Sequence, residues 1–149
     1  MSQTTLTAFL SATQAEPGLI ALIEALAKGC VEISGHVRQG AVGQAMGALE
    51  QQNVQGEVQQ KLDVLSNDIL LKVCAEAPSL AAMASEEMDT IHPVRAVASD
   101  GGLLVLFDPL DGSSNIAVNV SIGTIFSVLP APADSHGRMP TEADFLQPG

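Results

Sequence analysis

Hydrophobic residues recur at helical spacing through the first half of the chain and gather in short extended runs through the second. The first long stripe contains Leu19, Leu22, Ile23, Leu26, Cys30, Ile33 and Val37. Its three- and four-residue steps predict an amphipathic helix that begins near Pro17, after a short helix over residues 5–12. Glycines at 35, 40, 43 and 47 then interrupt the stripe. Residues 39–55 are therefore predicted to form a loop that contains one helical turn.

A second long helix is predicted over residues 57–77. Its apolar side consists of Val58, Leu62, Leu65, Ile69, Val73 and Cys74, and Pro78 follows its end. Asp63, Asn67 and Asp68 are assigned to other parts of the helix surface.

The period then changes to short runs that predict strands: LAAMAS at 80–85, PVRAVAS at 93–99, LLVLF at 103–107 and VSIGTIFSVLP at 120–130. The sequence SDGG at 99–102 predicts a hairpin between the second and third runs. TEAD at 141–144 is typical of the start of a last short helix. Helices followed by strands predict a layered α/β or α+β fold with a mainly antiparallel or mixed sheet.

Composition narrows the possible partners. The chain has 149 residues, of which 46% are hydrophobic, enough for the core of one domain. Its 17 Asp and Glu against 6 Lys and Arg argue against a nucleic-acid partner. No signal peptide or membrane-spanning stretch is recognised, so a soluble, cytoplasmic protein without a membrane partner is expected. Cys30 and Cys74 lack a metal-ligand spacing and are predicted to be reduced thiols.

The stretch FDPLDGSSN at 107–115 carries the strongest chemical signal. Asp108 and Asp111 lie three residues apart, and two negative charges this close repel unless a cation lies between them. Pro109 is expected to stop the preceding strand, so that Asp111 projects from a turn. The backbone N–H groups of the Gly-Ser-Ser that follows can hold an anion. Carboxylates for a hard cation beside amides for a phosphate predict metal-assisted hydrolysis of a phosphate ester.

The acidic residues of this stretch also fit other kinds of site. An EF-hand is excluded, because placing Gly112 sixth would make Phe107 the first ligand and Val118 the last. A purely structural role, in which Asp108 and Asp111 cap a turn, stays open. Further carboxylates come from Glu86 and Glu87 after the first strand run and from Glu57 and Asp63 on the second helix. Acidic residues on a helix or after a strand commonly just form a solvent-exposed surface. Carboxylates from three segments together, however, suit a site for two or more metals.

The signature FDPLDGSSN, continuing into IAVNVSIGTIFSV, resembles that of the class I fructose-1,6-bisphosphatases of the bacterial type. These enzymes belong to the lithium-sensitive, metal-dependent phosphatase superfamily. NVQGEVQQKLDVLSND and SEE before the signature, and TEADFLQPG after it, resemble the same branch in the same order. Inositol monophosphatases share the shorter D-P-x-D-G core alone. Sedoheptulose-bisphosphatases are closer, although Asn115 after the two serines fits the fructose enzymes better.

The resemblance implies a role for each matching residue. The metal ligands would be Glu86, Asp108, Asp111 and the backbone carbonyl of Leu110, binding two or more Mg²⁺ ions, with Mn²⁺ as a substitute. The catalytic residues would be Asp63 and Glu87, which activate the attacking water, and Glu57, a ligand or water-positioning group. The 1-phosphate would be cradled by Asp111, Gly112, Ser113, Ser114 and Asn115. Hydrolysis would yield fructose 6-phosphate and phosphate, in gluconeogenesis or the Calvin cycle, and a homo-oligomer, a homotetramer in the family, is expected.

The chain also departs from the family pattern. Family members are more than twice as long, and their second half carries a sugar pocket rich in Tyr, Lys and Arg. This chain has no tyrosine and two basic residues, Arg95 and Arg138, after Lys72. Residues 1–149 are therefore expected to be the N-terminal metal- and phosphate-binding portion, with the sugar-binding portion missing and with weak magnesium binding and little turnover. The alternative is a non-catalytic fragment that acts as an oligomerisation or interaction module.

Overall fold

The computed structural model describes residues 4–46, 52–114 and 121–147. Three helices come first: α1 (Leu6–Ala12), α2 (Pro17–Met46) and α3 (Gln52–Ala75). Four strands follow: β1 (Leu80–Ser85), β2 (His92–Pro93), β3 (Leu103–Asp111) and β4 (Gly123–Pro130). Short 3-10 turns cover Ala133–Ser135 and Glu142–Phe145. Within the described ranges, no helix is both long and apolar enough to cross a membrane.

The two predicted helix starts are confirmed. Thr5 caps α1, because its hydroxyl oxygen accepts a hydrogen bond from the Ala8 N–H at 3.2 Å. Pro17 is the first residue of α2, where its missing N–H leaves no intrahelical bond unmade.

The loop predicted over residues 39–55 is wrong where the structure describes it. Helix α2 continues to Met46 and α3 already begins at Gln52; residues 47–51 lie outside the described ranges. A glycine inside a helix costs about 1 kcal/mol relative to alanine. Extending an existing helix adds one hydrogen bond for each residue fixed, and this gain exceeds the penalty at Gly40 and Gly43.

Both apolar stripes face a common core. On α2 the buried members are Leu22, Leu26 and Ile33, and on α3 they are Leu62, Ile69, Val73 and Cys74; the side chain of Val58 is not described. Gly29 allows the helices to approach closely, since a Cβ built there would lie 2.6 Å from Leu70 Cδ2. The placement of Asn67 on the outer helix surface is wrong, because its side chain points inward and is 8% exposed.

The sheet is mixed, as predicted, and the fold is α/β. Its strand order is β2-β1-β3-β4. The central pair, β1 and β3, is parallel, with Met83 opposite Val105, while β2 and β4 pair antiparallel to their neighbours. The carboxyl ends of β1 and β3 therefore meet at the same edge of the sheet.

The predicted hairpin exists as a tight turn without paired arms. Gly101 adopts a φ of 110° and donates its N–H to the Ala98 carbonyl at 3.1 Å. The arms do not pair beyond the single antiparallel bridge between Ala98 and Gly101, because β3 bonds to β1 and β4 instead.

The strand predicted over residues 93–99 is wrong beyond Pro93, because the N–H groups of Val94 and Arg95 both donate to the Ala81 carbonyl and the ladder does not continue. The Arg95 guanidinium donates to the carbonyls of Ala75 and Pro78.

The two faces of the sheet are covered differently. Met83, Val105 and Phe107 pack with α2 and α3 in the main core. On the opposite face, Ala82 and Leu104 belong to a smaller cluster with Val97, onto which Ile91, Leu129, Ala131 and Phe145 pack. The helices therefore cover one face, and connecting segments cover part of the other.

The last predicted helix is a 3-10 turn over Glu142–Phe145. Asp144, which is 5% exposed, accepts hydrogen bonds at 2.7 Å from the Thr141 N–H and from both Arg138 guanidinium nitrogens. The Arg138 carbonyl accepts from the N–H of Val97, a buried residue between β2 and β3, at 3.0 Å. This pair holds the final described segment against the fold.

Candidate active site

The candidate site begins where the parallel strands β1 and β3 end. Ser85 pairs with Phe107, and the Glu86 N–H continues the ladder by donating to the Phe107 carbonyl at 3.0 Å. Glu86 and Asp108 come directly after this pair, so the two carboxylates lie next to each other on neighbouring strands. A carboxylate at the end of a buried apolar run is thereby held by a rigid element.

Strand β3 does not stop at Pro109, contrary to the sequence prediction. It continues to Asp111, with an irregular register against β4 between Asp108 and Asp111. Proline is tolerated at such a bulge because the missing N–H breaks no regular ladder bond. The Pro109 carbonyl stays bonded, accepting from the Thr124 hydroxyl at 3.0 Å. Asp111 is therefore the exposed last residue of a strand.

The turn after β3 is built as the sequence predicts for an anion site. Gly112 has a φ of 78°, a conformation that glycine adopts without steric cost. Ser113 and Ser114 form the start of a 3-10 turn, and the Ser114 carbonyl accepts from the Gln59 side chain at 3.4 Å. Asn115, the last predicted phosphate-binding residue, lies outside the described residues.

Helix α3 brings Asp63 to this turn. The Ser113 hydroxyl donates a hydrogen bond to Asp63 Oδ2 at 3.3 Å. The other oxygen, Oδ1, is buried and has no hydrogen-bond partner among the described residues. Glu57, predicted on the same helix, has a side chain outside the described part of the structure.

Three carboxyl groups of the site, those of Glu86, Glu87 and Asp63, have raised pKa values. For Glu86, the charge of Asp108 is the largest cause of a raised pKa, and the charges of Asp111 and Asp63 add to it. For Glu87 the pKa is raised first by partial loss of hydration and then by Asp63 and Glu86. Burial is the main cause of the raised pKa of Asp63, although the Ser113 hydrogen bond opposes it. Five carboxylates from three segments thus share one region of negative potential.

The turn-capping alternative is right for one oxygen of Asp108. Its Oδ1 accepts from the Leu110 N–H at 3.0 Å, which is the local bond of an Asx turn. Such a bond fixes the direction of the carboxylate and leaves Oδ2 for another ligand. Leu110 itself packs its side chain into the main core, so its backbone is fixed between the two aspartates.

The donor chemistry of this cluster suits a hard divalent cation. Carboxylate and carbonyl oxygens are the ligands that Mg²⁺ prefers, and a cation would relieve the repulsion that raises these pKa values. Over residues 4–46, 52–114 and 121–147, however, no three acidic, histidine or cysteine side chains lie close enough to surround one ion. Glu86 and Asp111 are both exposed, so rotation about their side-chain bonds can change this spacing without moving the backbone.

An open groove of about 430 Å³ leads away from the carboxylates across the sheet face that lacks helices. Its apolar floor includes Ala84, Leu106 and Ile125, and Glu86 and Asp108 stand at its acidic end. The sequence prediction missed this groove, because it depends on the order of the strands. It also missed Gln59, Thr124 and Asn67, of which Asn67 could have been found by its four-residue spacing from Asp63.

The chain is similar to known proteins over its length. Residues 2–149 match the family model described as fructose-1-6-bisphosphatase, N-terminal domain. Among solved structures, fructose-1,6-bisphosphatase from Leishmania major in its holo form is 29% identical, with a TM-score of 0.67 over 86% of this chain. The apo form of that enzyme is also 29% identical, with a TM-score of 0.66 over 89% of this chain. This chain covers 38% of each of those two chains.

Proposed function

Because the chain belongs to the fructose-1,6-bisphosphatase family, we propose that residues 1–149 act as the metal- and phosphate-binding portion of a magnesium-dependent phosphatase. The substrate would be fructose 1,6-bisphosphate, which loses its 1-phosphate to give fructose 6-phosphate. The observation that carries this proposal is the convergence of carboxylates from α3, β1 and β3 beside the turn at Gly112–Ser114. A cytoplasmic role in gluconeogenesis or the Calvin cycle belongs to the same proposal.

Each residue has a task that follows from its position. Glu86, Asp108, Asp111 and the Leu110 carbonyl would hold the metal ions. The N–H groups of the turn from Gly112 to Ser114 would bind the phosphate oxygens, as backbone amides at a helical turn commonly do. Asn115 is proposed to bind phosphate with them.

The remaining carboxylates would accept and transfer protons. Asp63 and Glu87 are the candidates to orient and deprotonate the attacking water, and their raised pKa values make them stronger bases than ordinary carboxylates. Glu57 would assist as a ligand or water-positioning group. Bound Mg²⁺, or Mn²⁺ in its place, would polarise the phosphoryl oxygens and lower the pKa of a bound water.

Phosphate release from fructose 1,6-bisphosphate in the presence of Mg²⁺ tests this function. Phosphorus NMR of the product should show that the 1-phosphate is lost and the 6-phosphate remains. Asp111→Asn should abolish the release, whereas Asp68→Asn, at an exposed position on α3 outside the site, should leave it unchanged. Sedoheptulose 1,7-bisphosphate and inositol monophosphate, offered as competing substrates, should be hydrolysed more slowly.

A non-catalytic interaction module is the second candidate, and the exposed apolar side chains favour it. Phe9 on α1 and Ile125 on β4 are each 59% exposed, and Val31 on α2 is 73% exposed. The homo-oligomer, a homotetramer, is proposed from the resemblance to the family. Light scattering gives the oligomeric state. Absence of phosphate release, together with no change in melting temperature on adding Mg²⁺, would leave the interaction module as the better proposal.

A further inference from the structure

Asn67 lies one helical turn after Asp63 on the same side of α3. It is 8% exposed, although asparagine is usually found at protein surfaces. Its side-chain oxygen, Oδ1, is buried and has no hydrogen-bond partner among the described residues, and Asp63 Oδ1 is in the same condition. Two buried oxygens without partners therefore occur within one turn of the helix that supplies the candidate site.

Buried polar atoms in native proteins are nearly always hydrogen bonded, to the protein or to ordered water. The two oxygens cannot bond each other while Asp63 is ionised, because both are then acceptors. A water molecule has two O–H groups and can donate one to each oxygen. Water is therefore the simplest group that satisfies both atoms at once.

We propose that Asp63 Oδ1 and Asn67 Oδ1 share one buried water, and that Asn67 is thereby a positioning residue for Asp63. The water engages one carboxylate oxygen while the Ser113 hydroxyl donates to the other, Oδ2, at 3.3 Å. With both oxygens engaged, the Asp63 side chain has one orientation. The Ser113 hydroxyl proton is committed to α3, so Ser113 offers a phosphate its backbone N–H instead.

The water site stands independently of catalysis, whereas its consequence for the attacking water rests on the proposed function. The first test is a crystal structure of the metal-free chain. We expect one ordered water within about 3.2 Å of both oxygens. A protein donor at either oxygen, or a direct contact between the two, would overturn the proposal.

The second test is a double-variant comparison of melting temperatures. Asn67→Leu removes one partner of the water and should lower the melting temperature by about 3 °C. If the oxygen had no partner, the same change would raise it. In the Asp63→Asn background, Asn67→Leu should lower the melting temperature by less than it does in the unchanged chain, because both changes disturb one water. Additive effects contradict a shared water, since changes in packing alone are independent of Asp63.

The conformation of the Asp63 side chain tests whether Asn67 positions it. Side-chain coupling constants of Asp63, measured by NMR, should report one rotamer in the unchanged chain and averaging in Asn67→Leu. Asn67→Ser, which supplies a hydroxyl oxygen as an acceptor for the water, should restore part of the single-rotamer signal. The exposed control Asp68→Asn should not alter it. A fixed Asp63 rotamer in Asn67→Leu would refute the positioning role. None of these measurements uses Mg²⁺ or substrate. Their outcome therefore does not depend on whether the chain is active as a phosphatase.

Discussion

The Ser113 hydroxyl donates a hydrogen bond to Asp63 Oδ2 at 3.3 Å and joins two residues that are 50 positions apart in the chain. The contact links the turn after β3 to the middle of α3. Because the two groups belong to different layers of the fold, the candidate site forms only when α3 has packed against the sheet. Stability measurements on the whole chain therefore report on the site as well.

The variant Asp108→Asn is expected to stabilise the metal-free chain while removing its response to Mg²⁺. Asp108 is the largest cause of the raised pKa of Glu86, so removing its charge relieves repulsion. The amide keeps an oxygen that can accept from the Leu110 N–H. Calorimetry should show a melting temperature higher by roughly 1–3 °C without metal, and no further rise on adding Mg²⁺.

Asp68→Asn is the matched control for this charge removal, because Asp68 is an exposed carboxylate on α3. It should retain the full rise in melting temperature with Mg²⁺. A normal Mg²⁺ response in Asp108→Asn would exclude this aspartate as a ligand.

The repulsion and burial of the site carboxylates should appear in the pH dependence of the melting temperature. The pKa of Asp63 is raised from its ordinary value of 3.8. A carboxyl group with a higher pKa in the folded protein binds its proton more tightly there than in the unfolded chain. Its ionised form therefore lowers the free energy of unfolding at neutral pH, and this destabilisation fades as the pH falls toward the ordinary pKa. Asp63→Asn removes this destabilisation. Its advantage in melting temperature over the unchanged chain should shrink between pH 7 and pH ~4; a constant or growing advantage would contradict the raised pKa.

Two glycines of α2 should respond oppositely to alanine. A Cβ at Gly29 would lie 2.6 Å from Leu70 Cδ2, whereas at Gly35 it would meet nothing within 4 Å. Gly35→Ala should therefore stabilise the chain by about 0.5–1 kcal/mol through helix propensity. Gly29→Ala should destabilise it by about 1–2 kcal/mol, because the buried Leu70 side chain must change its conformation or the helices must move apart. Urea unfolding measures both, and equal effects would mean that α2 and α3 do not touch at Gly29.

Asp144 should be the most sensitive acidic residue of the final described segment. Arg138 donates two hydrogen bonds to it at 2.7 Å each, and these bonds hold the pKa of Asp144 well below its usual range. Asp144→Asn removes the charge and one acceptor, so the melting temperature should fall by about 3 °C or more. Glu142→Gln, an exposed change in the same turn, should have no measurable effect. Similar losses in both variants would show that the ion pair does not hold the segment.

Local patterns were sufficient to predict several elements. Thr5 and Pro17 marked the helix starts, and the LAAMAS and LLVLF runs marked the two central strands, because capping groups and apolar spacing act within a few residues. Long-range competition decided the rest. Pro109 stays within β3 because β4 pairs beside it through a bulge, and Asn67 is inward because packing of α3 against the sheet overrides its polarity.

In the candidate site, too, local patterns predict some features and long-range pairing determines the others. The motif FDPLDGSSN predicted the turn at Gly112 and the order of the acidic residues, since these depend on neighbouring positions. The parallel pairing of β1 with β3 determines that Glu86 lies beside Asp108, and no local pattern specifies that pairing. Whether Glu57 and Asn115 join the cluster stays a prediction.

Strand β4 forms one edge of the described sheet, with Ile125 and Phe126 both exposed along it. One row of its backbone N–H and C=O groups faces away from β3, and such a row can template a fifth strand from any extended peptide of suitable register. The chain therefore carries a built-in route to edge-to-edge aggregation, which should worsen with protein concentration. Ile125→Lys would oppose that route, and because Ile125 pairs with Asp108 it would also place a cation beside that carboxylate.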